Sequence, residues 1–220
     1  MKPTIDKQLV ELLQQMLETE LGGVKVYETA LQCVQNEDLR KEFEEYHAQT
    51  QKHVEIMRGL FGKLGLAETE TPGTKVVGHI GESLVAAMHM AKENGTPDAA
   101  ELVACECIVF AETKDHLNWH LLNAYAEAAK GDIKTALTEA CEQVEDQEDE
   151  HLYHTKGWCR ELWIKSLGMK AVLVTDTAFF RNARYHTPED TPDTLDYVRM
   201  SRVVEGVLEV IVTLTPIART

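Results

Sequence analysis

Apolar residues recur every three or four positions through most of the chain, the spacing that lays one side of a helix against a core. From about Asp6 to Gln35 the stripe is Leu9, Leu13, Met16, Val24, Tyr27, Leu31 and Val34. From about Asn36 to Gly65 it is Leu39, Phe43, Tyr46, Met57, Leu60 and Leu64. The short link at Asn36 makes these two predicted helices an antiparallel hairpin. The stretch from Gly65 to about Gly81 carries Gly and Pro and reads as a crossover, followed by a short helix over Glu82 to Glu93.

Gly95-Thr96-Pro97 is a break with a helix-start signal. A third long helix is predicted from Pro97 to Ala129, with Leu102, Cys105, Val109, Trp119 and Asn123 on one face. Lys130-Gly131-Asp132 stops it, and a fourth is predicted from Ile133 to Leu167, closed by Gly168. Its inward stripe is Leu137, Cys141, Val144, Thr155, Trp158 and Leu162. The expected fold class is all-α, a four-helix bundle over residues 1–168 with a long crossover. Residues 169–220 form an extension of a different character. Ala171 to Val174 is β-prone, Arg181 to Pro192 loop-like, and Thr194 to Thr213 suits a helix or a strand pair.

Polar residues on the inward stripes are the informative ones. Glu20 stands two turns from both Leu13 and Tyr27. Glu112 stands two turns after Cys105, with His116 one turn beyond. Glu148 and His151 follow Val144 by one and two turns, and Thr50 and His53 lie between Phe43 and Met57. An unpaired carboxylate in a dry helical interior is costly, so these positions call for a cation, a hydrogen-bond network or a proton. Counting from the two hairpin turns puts Glu20 level with Thr50 and His53, and Glu148 level with Glu112 and His116. Glu44-x-x-His47 is a rival pair on the second helix, and Glu106 a rival to Glu112. His116, His120 and His154 read as satisfied or exposed, and Met88, Met90 and the tryptophans as core.

Charge narrows the partners. Lys and Arg number 22 against 37 Asp and Glu, a net −15, which argues against nucleic acid and anionic membranes. The five cysteines, Cys33, Cys105, Cys107, Cys141 and Cys159, form no CxxC pair and fall in helical patterns, so buried thiols in a reducing compartment are expected. The first fifteen residues hold no apolar signal core, and no run of 18 apolar residues occurs, which gives a cytoplasmic expectation.

With Glu20, Glu112 and Glu148-x-x-His151 on three helices and His53 on the other, the chain resembles the ferritin-like superfamily of di-iron and di-manganese carboxylate proteins. Glu20 with Tyr27 seven residues later is similar to the ferritin first helix. The stretch from Phe43 to Met57, followed by Leu60-Phe61 and Leu64-Gly65, and Asp98-Ala-Ala-Glu-Leu102 resemble the bacterial YciE/YciF-type ferritin-like proteins. The resemblance spans about residues 5–165. It implies metal ligands Glu20, His53, Glu112, Glu148 and His151, two irons per chain or manganese, and O₂ or peroxide as reactant. Tyr27 would be an electron or proton donor. The sequence carries no readable cage contacts, and a homodimer is the expected assembly. The family pattern wants a Glu three residues before His53, where this chain has Thr50. A hydroxyl is a poor ligand for a hard divalent ion. The alternative expectation is therefore a structural or stress protein whose site is degenerate and binds no metal. A third is a binding module whose tail docks a partner.

Overall fold

A computed structural model describes residues 5–168, 191 and 196–214 of the protein. The chain divides into two compact units, Met1–Ala171 and Val172–Thr220. All regular structure among the described residues is helical.

In the first unit the helices are α1 (Lys7–Ala30), α2 (Glu37–Leu64), α3 (Pro72–Asn94), α4 (Pro97–Ala128), α5 (Gly131–Cys141) and α6 (Glu145–Ser166). Their neighbours close a ring. Helix α1 packs on α2 and α4, α4 on α5 and α6, and both of these on α2. Helix α3 lies outside the ring, against α1 and α4.

The interior is layered along the helix axes. One apolar cluster takes Leu13, Met16 and Leu17 of α1, Met57 and Leu60 of α2, Trp119 and Leu122 of α4, and Leu137 of α5. The other takes Val26 and Tyr27, Leu39 and Phe43, Cys105 and Ile108, and Leu162 of α6. Between them α1, α2, α4 and α6 carry buried polar residues: Glu20, Thr50 and His53, Glu112 and Asp115, Glu148 and His151. Hydrophobic burial on both sides holds the four helices in register and fixes the height of that polar layer.

Several element boundaries depart from the periodicity. The first helix stops at Ala30, not near Gln35. Cys33 sits buried in the following turn rather than in a helix. That turn is tied down by Arg40, whose Nη1 donates to the Leu31 carbonyl at 2.9 Å, and by buried Glu101, which accepts from the amides of Gln35 and Asn36. The second helix matches its signals: Asn36 caps its start, and Gly65 ends it in the left-handed region at φ 67°.

The helix expected over Glu82–Glu93 in fact begins at Pro72. Thr71 caps it, Pro72 occupies its first turn, and Thr71 and Thr74 form a reciprocal capping pair. Glycine propensity argues for a loop here, but packing overrides it. A Cβ on Gly73 would collide with Gln15 Nε2 and Glu11 Oε1 of α1, so a side chain there would have to displace both. The crossover proper is residues 65–71, and Gln14 pins it through the Ala67 carbonyl and the Thr69 amide.

The fourth helix is broken at residues 142–144 into α5 and α6. Asp146, Glu148, Asp149 and Glu150 thereby fall in the first turns of α6, where the helix dipole favours negative charge. Among the expected inward residues, Val24, Leu31, Leu102, Val109, Asn123 and Trp158 are only half-buried, and Met90 is exposed while Met88 is core. Cys105, Cys107 and Cys141 are buried and Cys159 half-buried.

In the second unit, α7 (Tyr197–Leu214) settles the helix-or-strand alternative in favour of a helix. The β-prone segment 171–174 and the segment 181–190 lie outside the described residues. No described helix is long and apolar enough to cross a membrane.

Candidate metal centre

The polar layer gathers all five residues expected as ligands. Glu20 from α1, His53 from α2 and Glu148 from α6 form one triad. Glu112 from α4, with Glu148 and His151 from α6, forms another. Within each triad the potential ligand atoms lie within 4.8 Å of one another, and Glu148 belongs to both. All five residues are at most 3% exposed. His53 Nδ1 is 3.2 Å from Glu148 Oε1 and 3.6 Å from Glu20 Oε2. His151 Nδ1 is 3.6 Å from Glu112 Oε2 and 3.8 Å from Glu148 Oε1.

The outward atoms of these groups are spoken for. His53 Nε2 meets Gln147 Oε1 at 2.8 Å, and His151 Nε2 meets Gln49 Oε1 at 2.6 Å. Because a Gln oxygen only accepts, each imidazole must carry its proton on Nε2 when neutral, which frees the Nδ1 lone pair. Tyr27 Oη donates to Glu112 Oε1 at 2.8 Å, and Trp119 Nε1 to Glu20 Oε1 at 2.8 Å. What remains without a hydrogen bond is Glu20 Oε2, His53 Nδ1, Glu112 Oε2 and both oxygens of Glu148, along with Asp115 Oδ1 and Thr155 Oγ1.

The two halves of the centre mirror each other. Helices α1 and α4 each carry a Glu with an aromatic donor seven residues later, and each donor crosses to the other helix's Glu. Helices α2 and α6 each carry a Gln with a His four residues later, and each Gln crosses to the other's His. The repeated spacings Glu20/Tyr27 and Glu112/Trp119, and Gln49/His53 and Gln147/His151, are visible in the sequence. Periodicity alone had not singled out Gln49, Gln147 or Trp119 as parts of the site.

Electrostatics follow from crowding charges in a dry layer. Burial alone would depress the His53 imidazole, but the carboxylates of Glu148 and Glu20 outweigh it and raise its pKa to about 11. His151 is likewise raised, Glu112 and Glu148 outweighing its burial. Burial first, then Glu112 and Glu20, lift Glu148 to about 7 against the pull of His53 and His151. Tyr27 is raised well above the usual phenol value by burial and by Glu112.

The rival residues stay outside. Glu44 is exposed, and His47 faces Glu28 at 3.7 Å. Glu106 accepts from Trp163 near the surface. His116 pairs with Asp149 at 2.8 Å, His154 meets Tyr46 Oη at 3.1 Å, and His120 is exposed beside His116. Thr50 is buried in the shell, but its hydroxyl donates to the Tyr46 carbonyl of its own helix at 2.9 Å.

No protein-family model and no solved structure matches the chain. A 38-residue stretch, 17% of the chain, is 55% identical to the "Uncharacterized protein YfbL" of Escherichia coli (strain K12) and spans 12% of that protein's length. A match that short carries no argument about fold or function.

Proposed function

We propose that this chain is a ferritin-like protein whose polar layer would hold two divalent metal ions, iron or manganese, with Glu148 common to both sets of residues that would hold them. The observation that carries the reading is the set of orphaned atoms. Buried polar groups are nearly always paired, because an unpaired one costs about 1–3 kcal/mol and a charged one more. Here Glu20 Oε2, His53 Nδ1, Glu112 Oε2 and both Glu148 oxygens converge with no hydrogen bond made, His53 Nδ1 lying 3.2 Å from Glu148 and 3.6 Å from Glu20, so that without a metal only shared protons hold them together. They are a hard-to-borderline donor set of carboxylate oxygens and imidazole nitrogens, which suits iron and manganese.

One ion would be held by Glu20, His53 and Glu148, the other by Glu112, His151 and Glu148. When bound, the metals supply redox chemistry with O₂ or peroxide, with Fe(II) or a small organic reductant giving the electrons. The protein's part is positional. Gln49 and Gln147 orient the imidazoles, and Trp119 and Tyr27 orient the carboxylates. The two apolar clusters exclude water. Tyr27 keeps its proton and donates it in a hydrogen bond to Glu112 Oε1, which makes it the phenol placed to pass a proton or an electron to that side.

The test is elemental analysis of protein purified without chelators and reloaded anaerobically with Fe(II). The expected result is close to two ions per chain, and His151→Ala should lose at least one of them. His47→Ala should change nothing. A wild-type protein that takes up no divalent metal would sink the reading. It would favour a structural protein that keeps the fold without the chemistry, the alternative to which Thr50, a hydroxyl turned toward its own backbone, lends support.

A further inference from the structure

The two mirrored halves differ in their acids. The position matching Glu148 on α6 is Thr50 on α2, since each lies three residues before its His. The position matching Asp115 on α4 is Gly23 on α1, since each lies three residues after its Glu. One carboxylate is missing from the α1/α2 half, and one is present in the other half without a counterpart.

Asp115 behaves as part of the centre. It lies on α4 between Glu112 and Trp119, both of which point into the layer, and is 4% exposed. Its Oδ1 has no hydrogen-bond partner. Among the described residues no cationic side chain forms an ion pair with it, and the adjacent Lys114 bonds Asn118 instead. A buried carboxylate with an unpaired oxygen and no cation beside it needs a compensating charge or a proton nearby.

The charge count identifies that compensation. Two divalent ions bring four positive charges, while Glu20, Glu112 and Glu148 return three. Neutral histidines add none. A fourth carboxylate makes the layer neutral, and a neutral layer is what a low-dielectric interior tolerates best. Resting on the two-metal reading above, we propose that Asp115 is the fourth carboxylate of the centre, supplied from α4 in place of the acid that Thr50 does not provide. Standing outside both ligand triads, it serves the metal position of Glu20 and His53 by accepting from a water on that ion.

The experiment loads chelator-treated protein anaerobically with Mn(II) and reads stoichiometry and affinity by calorimetry. Circular dichroism checks the fold. Wild type should bind two ions. Asp115→Asn keeps the shape and removes the charge, so one ion should remain while the second weakens about tenfold or more, the scale of losing a supporting group at a metal site. Adding Thr50→Glu to Asp115→Asn should bring the second ion back. Asp115→Ser gives the same reading should the Asn variant not fold. Two ions bound by Asp115→Asn with affinities within about twofold of wild type would overturn the proposal and leave the two-metal reading standing. No binding by wild type would overturn both.

Discussion

Four of the five candidate ligands, all but Glu148, are held from behind by a residue on another helix, and that cross-bracing is the most exposed part of the design to mutation. Gln49 and Gln147 fix which imidazole nitrogen faces inward. Gln147→Leu should leave His53 Nε2 without an acceptor and let the ring turn, lowering metal affinity about 10- to 100-fold. Competition with a chelator of known affinity measures this, and an unchanged affinity would show that the Gln contacts are incidental. Tyr27→Phe separates two roles. Losing a buried hydrogen bond to a carboxylate should cost about 1–3 kcal/mol of stability, read by urea unfolding of metal-free protein. If Tyr27 also supplies a proton or an electron, oxygen consumption should fall further than metal occupancy does.

At the scale of elements, the site residues were legible because each lies on an apolar stripe, and a carboxylate on such a stripe is conspicuous. Glu20, His53, Glu112, Glu148 and His151 all stand out in that way. Asp115 does not, because Leu102 and Val109, which mark the apolar stripe of α4 in the sequence, are half-buried, while Ala104, Ile108 and Leu122 are the residues that pack. The early start of α3 escaped for a different reason: Gly73, Gly78 and Gly81 lower helix propensity, and only contact with α1 explains them. The break between α5 and α6 leaves no Pro or Gly as a signal. Helix α3 is also tied to α1 through its cap. Thr71 accepts from the Thr74 amide and donates to Glu11 of α1 at 2.9 Å. Thr71→Ala should therefore cost about 0.5–2 kcal/mol. Hydrogen exchange should quicken in the first turn of α3 while metal content stays at the wild-type level. Metal loss in this variant would mean that α3 supports the centre, contrary to its place outside the ring.

For the first unit as a whole, the buried layer makes stability depend on pH, and the sign can be worked out. The folded His53 pKa is raised to about 11 from an ordinary 6.5. A histidine raised on folding contributes stability that is complete below its unfolded value and is lost as pH climbs through the folded one. Glu148 is raised to about 7 from 4.5, so the folded chain also holds that proton longer, and its contribution declines as pH rises from 4.5 through 7. Both groups mean more protons bound in the folded state than in the unfolded one. Stability of the metal-free protein must then fall with rising pH. Metal works in the opposite sense, because ligands must shed protons to bind it, so affinity grows as pH rises. Chelator-treated protein should accordingly melt at a lower temperature near pH 9 than near pH 6, and Mn(II) should raise the melting temperature more at the higher pH. Calorimetry in two buffers of different ionisation enthalpy should register protons released on Mn(II) binding. A metal-free melting temperature that rises between these two pH values would mean that the layer is not held together by shared protons. The ion would then enter a site already deprotonated.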